Sequence, residues 1–155
     1  MDDSRILKII DTAIAREEEA YWFYTDIHEK VTDAAVKDTL AWIAEEEKKH
    51  RAFLMAYRSG TRDIDALRMT DVVYYAISEY IDEPEVSDNM SGADVFLIAS
   101  HREKRSHQFY SELANLHPEG ETRKLFQKMA REELHHKEKM EYLYSNTAFP
   151  QTAGG

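Results

Sequence analysis

Leu40-Ala41-Trp42-Ile43-Ala44-Glu45-Glu46-Glu47-Lys48-Lys49-His50-Arg51-Ala52-Phe53-Leu54 decides how this chain folds. Val36, Leu40, Ile43, Glu47, His50, Leu54 and Tyr57 recur at spacings of three and four, so they share one face of a helix. That face is apolar except at its middle. There a glutamate, and a histidine three residues on, stand where core residues belong. The stretch returns 86 positions later: Leu40 falls on Phe126, Ala44 on Ala130, Glu46-Glu47 on Glu132-Glu133, and His50 on His136.

The same offset relates the preceding segments without a gap. Ala13 falls on Ala99, Glu17 on Glu103, Phe23-Tyr24 on Phe109-Tyr110, and Ile27 on Leu113. The seams there read Leu7, Ile10, Ile14, Glu17, Tyr21, Tyr24 and Phe96, Ser100, Glu103, His107, Tyr110. The fourth seam is Phe126, Met129, Glu133, His136, Met140, Leu143. Each half is therefore an αα-hairpin with a carboxylate at mid-length on every apolar seam.

Helix signals set the boundaries. The first helix is predicted from about Asp3 to Glu29, capped by Asp2, Asp3 or Ser4. Thr32 or Asp33 opens a second, which runs to Arg58 and closes at Ser59-Gly60. Residues 60–90 form a long crossover in which only Met69 to Ile81, with Val72, Val73, Tyr75 and Ile77, reads as helical. Ser91, with Asp94 three residues on, opens a third helix that ends near Leu116. Pro118 and Glu119 suit the first turn of a fourth, which runs to about Tyr144. The expected organisation is one all-α, ferritin-like four-helix bundle over residues 1–145, with an irregular tail over 146–155.

Composition narrows the function. Twenty basic residues against thirty acidic ones leave a net charge of −10, the wrong sign for phosphate neutralisation. With no cysteine, a disulfide framework, a cysteine nucleophile and an iron–sulfur cluster are excluded. No early apolar run resembles a signal peptide, and none approaches a membrane span. The expectation is a cytoplasmic protein without nucleic-acid or membrane partners.

Four ionised carboxylates in a bundle core cost several kcal/mol each unless compensated, and they repel one another. No Lys or Arg lies on the seams near them. Two divalent cations balance four carboxylates, and two imidazoles complete the set. One Glu from each of two helices plus Glu-x-x-His from each of the other two is the inward-facing di-iron carboxylate arrangement. A lone Glu-x-x-His carries little, since about one arises by chance in such a composition. Two copies at one offset, each preceded by a seam Glu thirty positions earlier, carry far more. Glu132-x-x-His135 also matches the motif, but offset and seam select Glu133 and His136. Glu45, Glu46, Glu132 and His135 then flank the site, as Glu18 and Glu19 flank Glu17.

These residues resemble the rubrerythrin branch of the ferritin-like di-iron proteins, with its patterns Glu-x6-Tyr and Glu-Glu-x-x-His. They stand here as Glu17…Tyr24, Glu46-Glu47-Lys48-Lys49-His50, Glu103…Tyr110 and Glu132-Glu133-Leu134-His135-His136, over about residues 4–145. The resemblance implies two Fe ions per chain, with Mn or Zn also accommodated. Glu47 and Glu133 would bridge them, Glu17 and Glu103 would be terminal ligands, and His50 and His136 would each bind one ion. It further implies reduction of peroxide or O2 in oxidative-stress defence.

Two departures stand out. Peroxidase-type rubrerythrins carry an additional Glu three residues after the third-helix ligand, where this chain has Ser106. The remaining symmetric six-ligand set is also similar to the ferroxidase centre of bacterioferritin. Rubrerythrin itself carries a four-cysteine rubredoxin domain, so the expected electron donor here is a separate protein. The alternatives are a ferroxidase or iron store, and a metal-binding bundle without redox turnover.

Tyr24 and Tyr110 admit two readings: hydrogen bonding to a ligand carboxylate, or core tyrosines bonded to backbone. His107 reads as a groove histidine, with an extra ligand or proton donor as the alternative. His28, His101, His117 and His135 read as surface residues, and Met129 and Met140 as core filler. Trp22, Trp42, Phe53 and Tyr74 are candidates for the interface of a homodimer or larger homo-oligomer.

Overall fold

The computed structural model describes residues 3–61, 75–88 and 90–149. Among the described residues four helices follow one another: α1 (Asp3–Lys30), α2 (Ala34–Arg58), α3 (Gly92–Leu116) and α4 (Glu121–Ala148). Among the described residues there is no strand, and the chain is of the all-helical, four-helix ferritin-like class. It divides into two compact units, Met1–Ala66 and Leu67–Gly155. Each contains one hairpin, with α1 against α2 in the first and α3 against α4 in the second.

The ends of α2 follow from its flanking residues. Asp33 is the N-cap, its Oδ1 accepting from Val36 N at 3.1 Å. At the other end Gly60 takes φ 77°, the left-handed conformation glycine adopts without penalty. Gly60 N then donates to Tyr57 O and Thr61 N to Ala56 O, which satisfies two terminal carbonyls. Ser91 caps α3 as expected, accepting from Asp94 N at 3.1 Å.

The start of α4 differs from expectation. Pro118 and Glu119 precede the helix, which begins at Glu121. The residue before a proline is driven out of the helical region, and His117 is extended at φ −103°, ψ 141°. The chain turns through Gly120 at φ 149° before α4 begins. At its far end α4 continues to Ala148, past the boundary expected at 145.

The crossover also differs. Residues 62–74, which include Val72, Val73, Tyr74 and the first six residues of the predicted Met69–Ile81 helix, lie outside the described residues. Tyr75 to Ile77 are irregular, and one turn follows, closed by Tyr80 N and Ile81 N donating to Ile77 O. Among the described residues no helix is long and apolar enough to cross a membrane.

The buried faces follow the marked spacing over much of each helix, while Leu7, Ile14, Tyr21, Tyr57, His107 and Leu143 are half-buried. Ile10, Ala13, Tyr24 and Ile27 of α1 are buried, as are Val36, Leu40, Ile43 and Leu54 of α2. In the second unit Phe96, Tyr110, Phe126, Met129 and Met140 are buried. Burying one such large apolar side chain is worth about 1.5–3 kcal/mol, so the seams carry the hairpins.

Candidate metal centre

In the first hairpin α1 supplies Glu17, and α2 supplies Glu47 and His50. All three lie on the seams, between buried residues such as Ile10, Tyr24, Ile43 and Leu54, and all are at most 4 % exposed. His50 Nδ1 is 3.7 Å from Glu17 Oε1. In the second hairpin α3 supplies Glu103, and α4 supplies Glu133 and His136, none more than 2 % exposed. His136 Nδ1 is 3.9 Å from Glu103 Oε2.

Both separations exceed a hydrogen bond. Both fit one ion, because two donors that each sit about 2.0–2.2 Å from a metal can be as much as ~4.2 Å apart. Glu47, His50, Glu133 and His136 are buried side chains of the kind that hold a metal ion. Carboxylate oxygen with imidazole nitrogen, and no thiol in the chain, suits Fe(II), Mn(II) and Zn(II). The residues present therefore fit a metal, and its charge would offset the cost of burying carboxylates.

Burial differs between the two registers. Glu133 and His136 are buried, whereas Glu132 and His135 are half-buried. Glu18, Glu19 and Glu45 are exposed and Glu46 is half-buried.

The structure sorts the other candidates. Tyr24 and Tyr110 are buried, and the Tyr110 ring stacks on Phe126 with centroids 6.3 Å apart. His107 is half-buried with Nδ1 2.8 Å from Ala130 O. A carbonyl only accepts, so Nδ1 donates there, and the ring ties α3 to α4. Ser106 is half-buried. His117 is not a surface residue: it is buried, its Nδ1 donates to Leu113 O at 2.7 Å, and its ring lies 5.2 Å from Phe126. The turn at Pro118 folds it back onto the hairpin. Of the interface candidates, Trp22 is exposed, Trp42 half-buried and Phe53 buried, while Tyr74 lies outside the described residues.

A second buried charged cluster escaped the sequence reading. Lys137, Glu138 and Glu141 on α4 are all buried. Lys137 Nζ lies 2.9 Å from Glu138 Oε1 and 3.0 Å from both Glu141 Oε1 and Glu79 Oε1. Burial works to lower the Lys137 pKa, but its bonds to Glu138, Glu141 and Glu79 outweigh this and raise it. Burial pushes the Glu141 carboxyl up, yet N–H donors of Ile77 and Ser78, with Lys137, hold it below the usual carboxylate range. The i,i+4 spacing of Lys137 and Glu141 was a signal in the sequence, but it fits a surface ion pair equally well. Glu79, Lys137 and Glu138 also border a cleft of about 590 Å³ that includes His107. None of the six Glu and His donors lines it.

An all-helical chain that buries the same Glu, Glu and His side chains in two successive hairpins defines a protein of the ferritin-like class with a candidate metal centre. The rubrerythrin family model matches residues 8–144. The chain belongs to the rubrerythrin family. Among solved structures, a hypothetical protein from Pyrococcus furiosus is similar at 25 % identity. The match covers 95 % of this chain and 92 % of that one, with a TM-score of 0.65. No curated protein matches the chain.

Proposed function

We propose that Glu17, Glu47, His50, Glu103, Glu133 and His136 are the ligands of one di-iron centre that reduces peroxide or O2 with electrons from a separate donor protein. The observation that carries this reading is the repeat: each hairpin buries the same three donors, with His and Glu 3.7 Å apart in one and 3.9 Å apart in the other. When metal is bound, Glu47 and Glu133 would be shared between the two ions, Glu17 and Glu103 would each complete one of them, and each histidine would hold one ion. A bound di-iron pair would supply the two electrons and the Lewis acidity that cleavage of an O–O bond requires. The balance is peroxide plus two protons plus two electrons giving two waters, with the donor protein restoring the electrons.

The chain's own residues hold the donors in place and keep bulk water out, since all six are buried. Tyr24 and Tyr110 are assigned as positioning residues whose hydroxyls orient ligand carboxylates. The setting is cytoplasmic, the assembly is a homodimer or larger homo-oligomer, and the role is defence against oxidants.

Ser106 favours a second reading, because it leaves the symmetric ligand set that suits ferroxidase activity and iron storage. Anaerobic loading with Fe(II), then mixing with H2O2 or O2, separates the two. A peroxide preference in wild type that is lost in Glu47→Ala supports peroxide reduction. O2-driven oxidation far beyond two irons per chain, in a large hollow assembly, supports storage. Uptake of fewer than two irons per chain, or an unaffected Glu47→Ala, removes the site as assigned.

A further inference from the structure

The buried cluster on α4 grips the end of the crossover through its backbone. Glu138 Oε2 accepts from Tyr75 N. Glu141 Oε2 accepts from Ile77 N at 3.0 Å, and Glu141 Oε1 accepts from Ser78 N at 2.7 Å. Lys137 Nζ bridges both carboxylates and reaches Glu79. Between the gripped residues, Ala76 sits at φ 55°, which costs an L-residue roughly 1–2 kcal/mol. A strained residue persists only where its surroundings over-determine the backbone. Farther along, Ile81 O bonds His101 Nε2 at 2.7 Å and Glu83 pairs with Arg105, so the segment is tied to α3 as well.

The gripping residues and the metal donors share two turns of α4. At about 100° per residue, the centre of the face carrying Lys137, Glu138 and Glu141 lies on the order of 120° around the axis from the centre of that carrying Glu133 and His136. Rotation of α4 that would carry Glu133 and His136 off their position is opposed by bonds on another face of the same turns.

We infer that Glu141, with Glu138 and Lys137, is a positioning residue: its hold on the crossover sets the rotation of α4 and so the aim of Glu133 and His136 at the metal. This rests on the di-metal reading above. Nothing in the cluster touches a reacting atom; it acts through the two ligands.

The test is titration with Co(II), followed by its visible ligand-field absorption, on wild type, Glu141→Ala, Glu141→Gln and Val36→Ala. Val36 is buried at the start of α2 in the other hairpin, so Val36→Ala loses stability without touching the grip. Wild type is expected to bind two Co(II) per chain. Glu141→Ala is expected to keep its helix content, to need 10- to 100-fold more Co(II), the range seen for residues supporting metal ligands, and to change the absorption. Glu141→Gln, which keeps one acceptor oxygen, is expected to fall between, and it decides the question if the alanine variant does not fold. Val36→Ala should match wild type in affinity and spectrum despite its lower Tm. A Glu141 variant with wild-type affinity and spectrum overturns the inference, as does a Val36→Ala shift as large as that of Glu141→Ala. A wild type that takes up no Co(II) instead overturns the di-metal reading, and this inference with it.

Discussion

His136 Nδ1 lies 3.9 Å from Glu103 Oε2, and each residue is 2 % exposed. Burying a carboxylate costs several kcal/mol, and a bound cation would offset that cost. His50 and Glu17 repeat the relationship in the other hairpin at 3.7 Å. Stability and metal binding are therefore linked at these positions.

Glu133 carries the sharpest form of that linkage. Replacing it with glutamine removes a charge from a position with no solvent exposure. Excess Mn(II) or Zn(II) should raise the wild-type Tm and leave the variant nearly unmoved, since only binding to the native state stabilises. Calorimetry with and without metal reads both effects.

Acid should loosen the crossover. The Glu141 carboxyl titrates below its usual range, so the stability it contributes is complete above about pH 4.3, the unfolded value, and is lost as pH falls through the lower folded value. Lys137 is raised, so its contribution is complete below about pH 10.4 and is lost as pH climbs through the folded value. Urea unfolding across pH should show a plateau between these limits, and Glu141→Gln should flatten the acid side.

Tyr24 and Tyr110 should separate packing from chemistry. Phenylalanine keeps the buried ring, including the stack on Phe126, and removes only the hydroxyl. Tyr24→Phe and Tyr110→Phe are expected to retain two irons per chain while peroxide-driven oxidation slows about tenfold, the lower end for residues supporting metal ligands. Stopped-flow rates equal to wild type would leave both as core residues.

Ala76→Gly tests the strained backbone. At φ 55° glycine carries no Cβ penalty, so the variant should gain roughly 1 kcal/mol of stability despite the usual entropic cost of glycine. A loss of stability would show that the methyl group packs usefully there.

Asp33→Ala removes the acceptor for Val36 N at the start of α2 and should cost about 1 kcal/mol. Asp33→Asn should recover most of it. Thermal melts suffice, and the metal content should not change.

Much of this protein was legible in the sequence because its deciding interactions are local and repeated. The three- and four-residue spacing determined the helices and their buried faces. The offset that carries Glu17 onto Glu103 and His50 onto His136 marked the donors, and burial separated them from their acidic neighbours. The caps at Asp33 and Ser91 and the closing Gly60 are likewise short-range signals.

Only the tertiary structure decided how the crossover is held. Tyr75 and Glu138 are 63 residues apart, and no local pattern pairs a backbone N–H with so distant a carboxylate. A buried lysine surrounded by three glutamates reads in sequence as charged helix surface, because desolvation depends on what packs against it. The same dependence hid the burial of His117, which follows from the chain turning back at Pro118 and Gly120. Spacing along the chain determined which side chains share a helix face, and tertiary packing decided which of the remaining charges leave water.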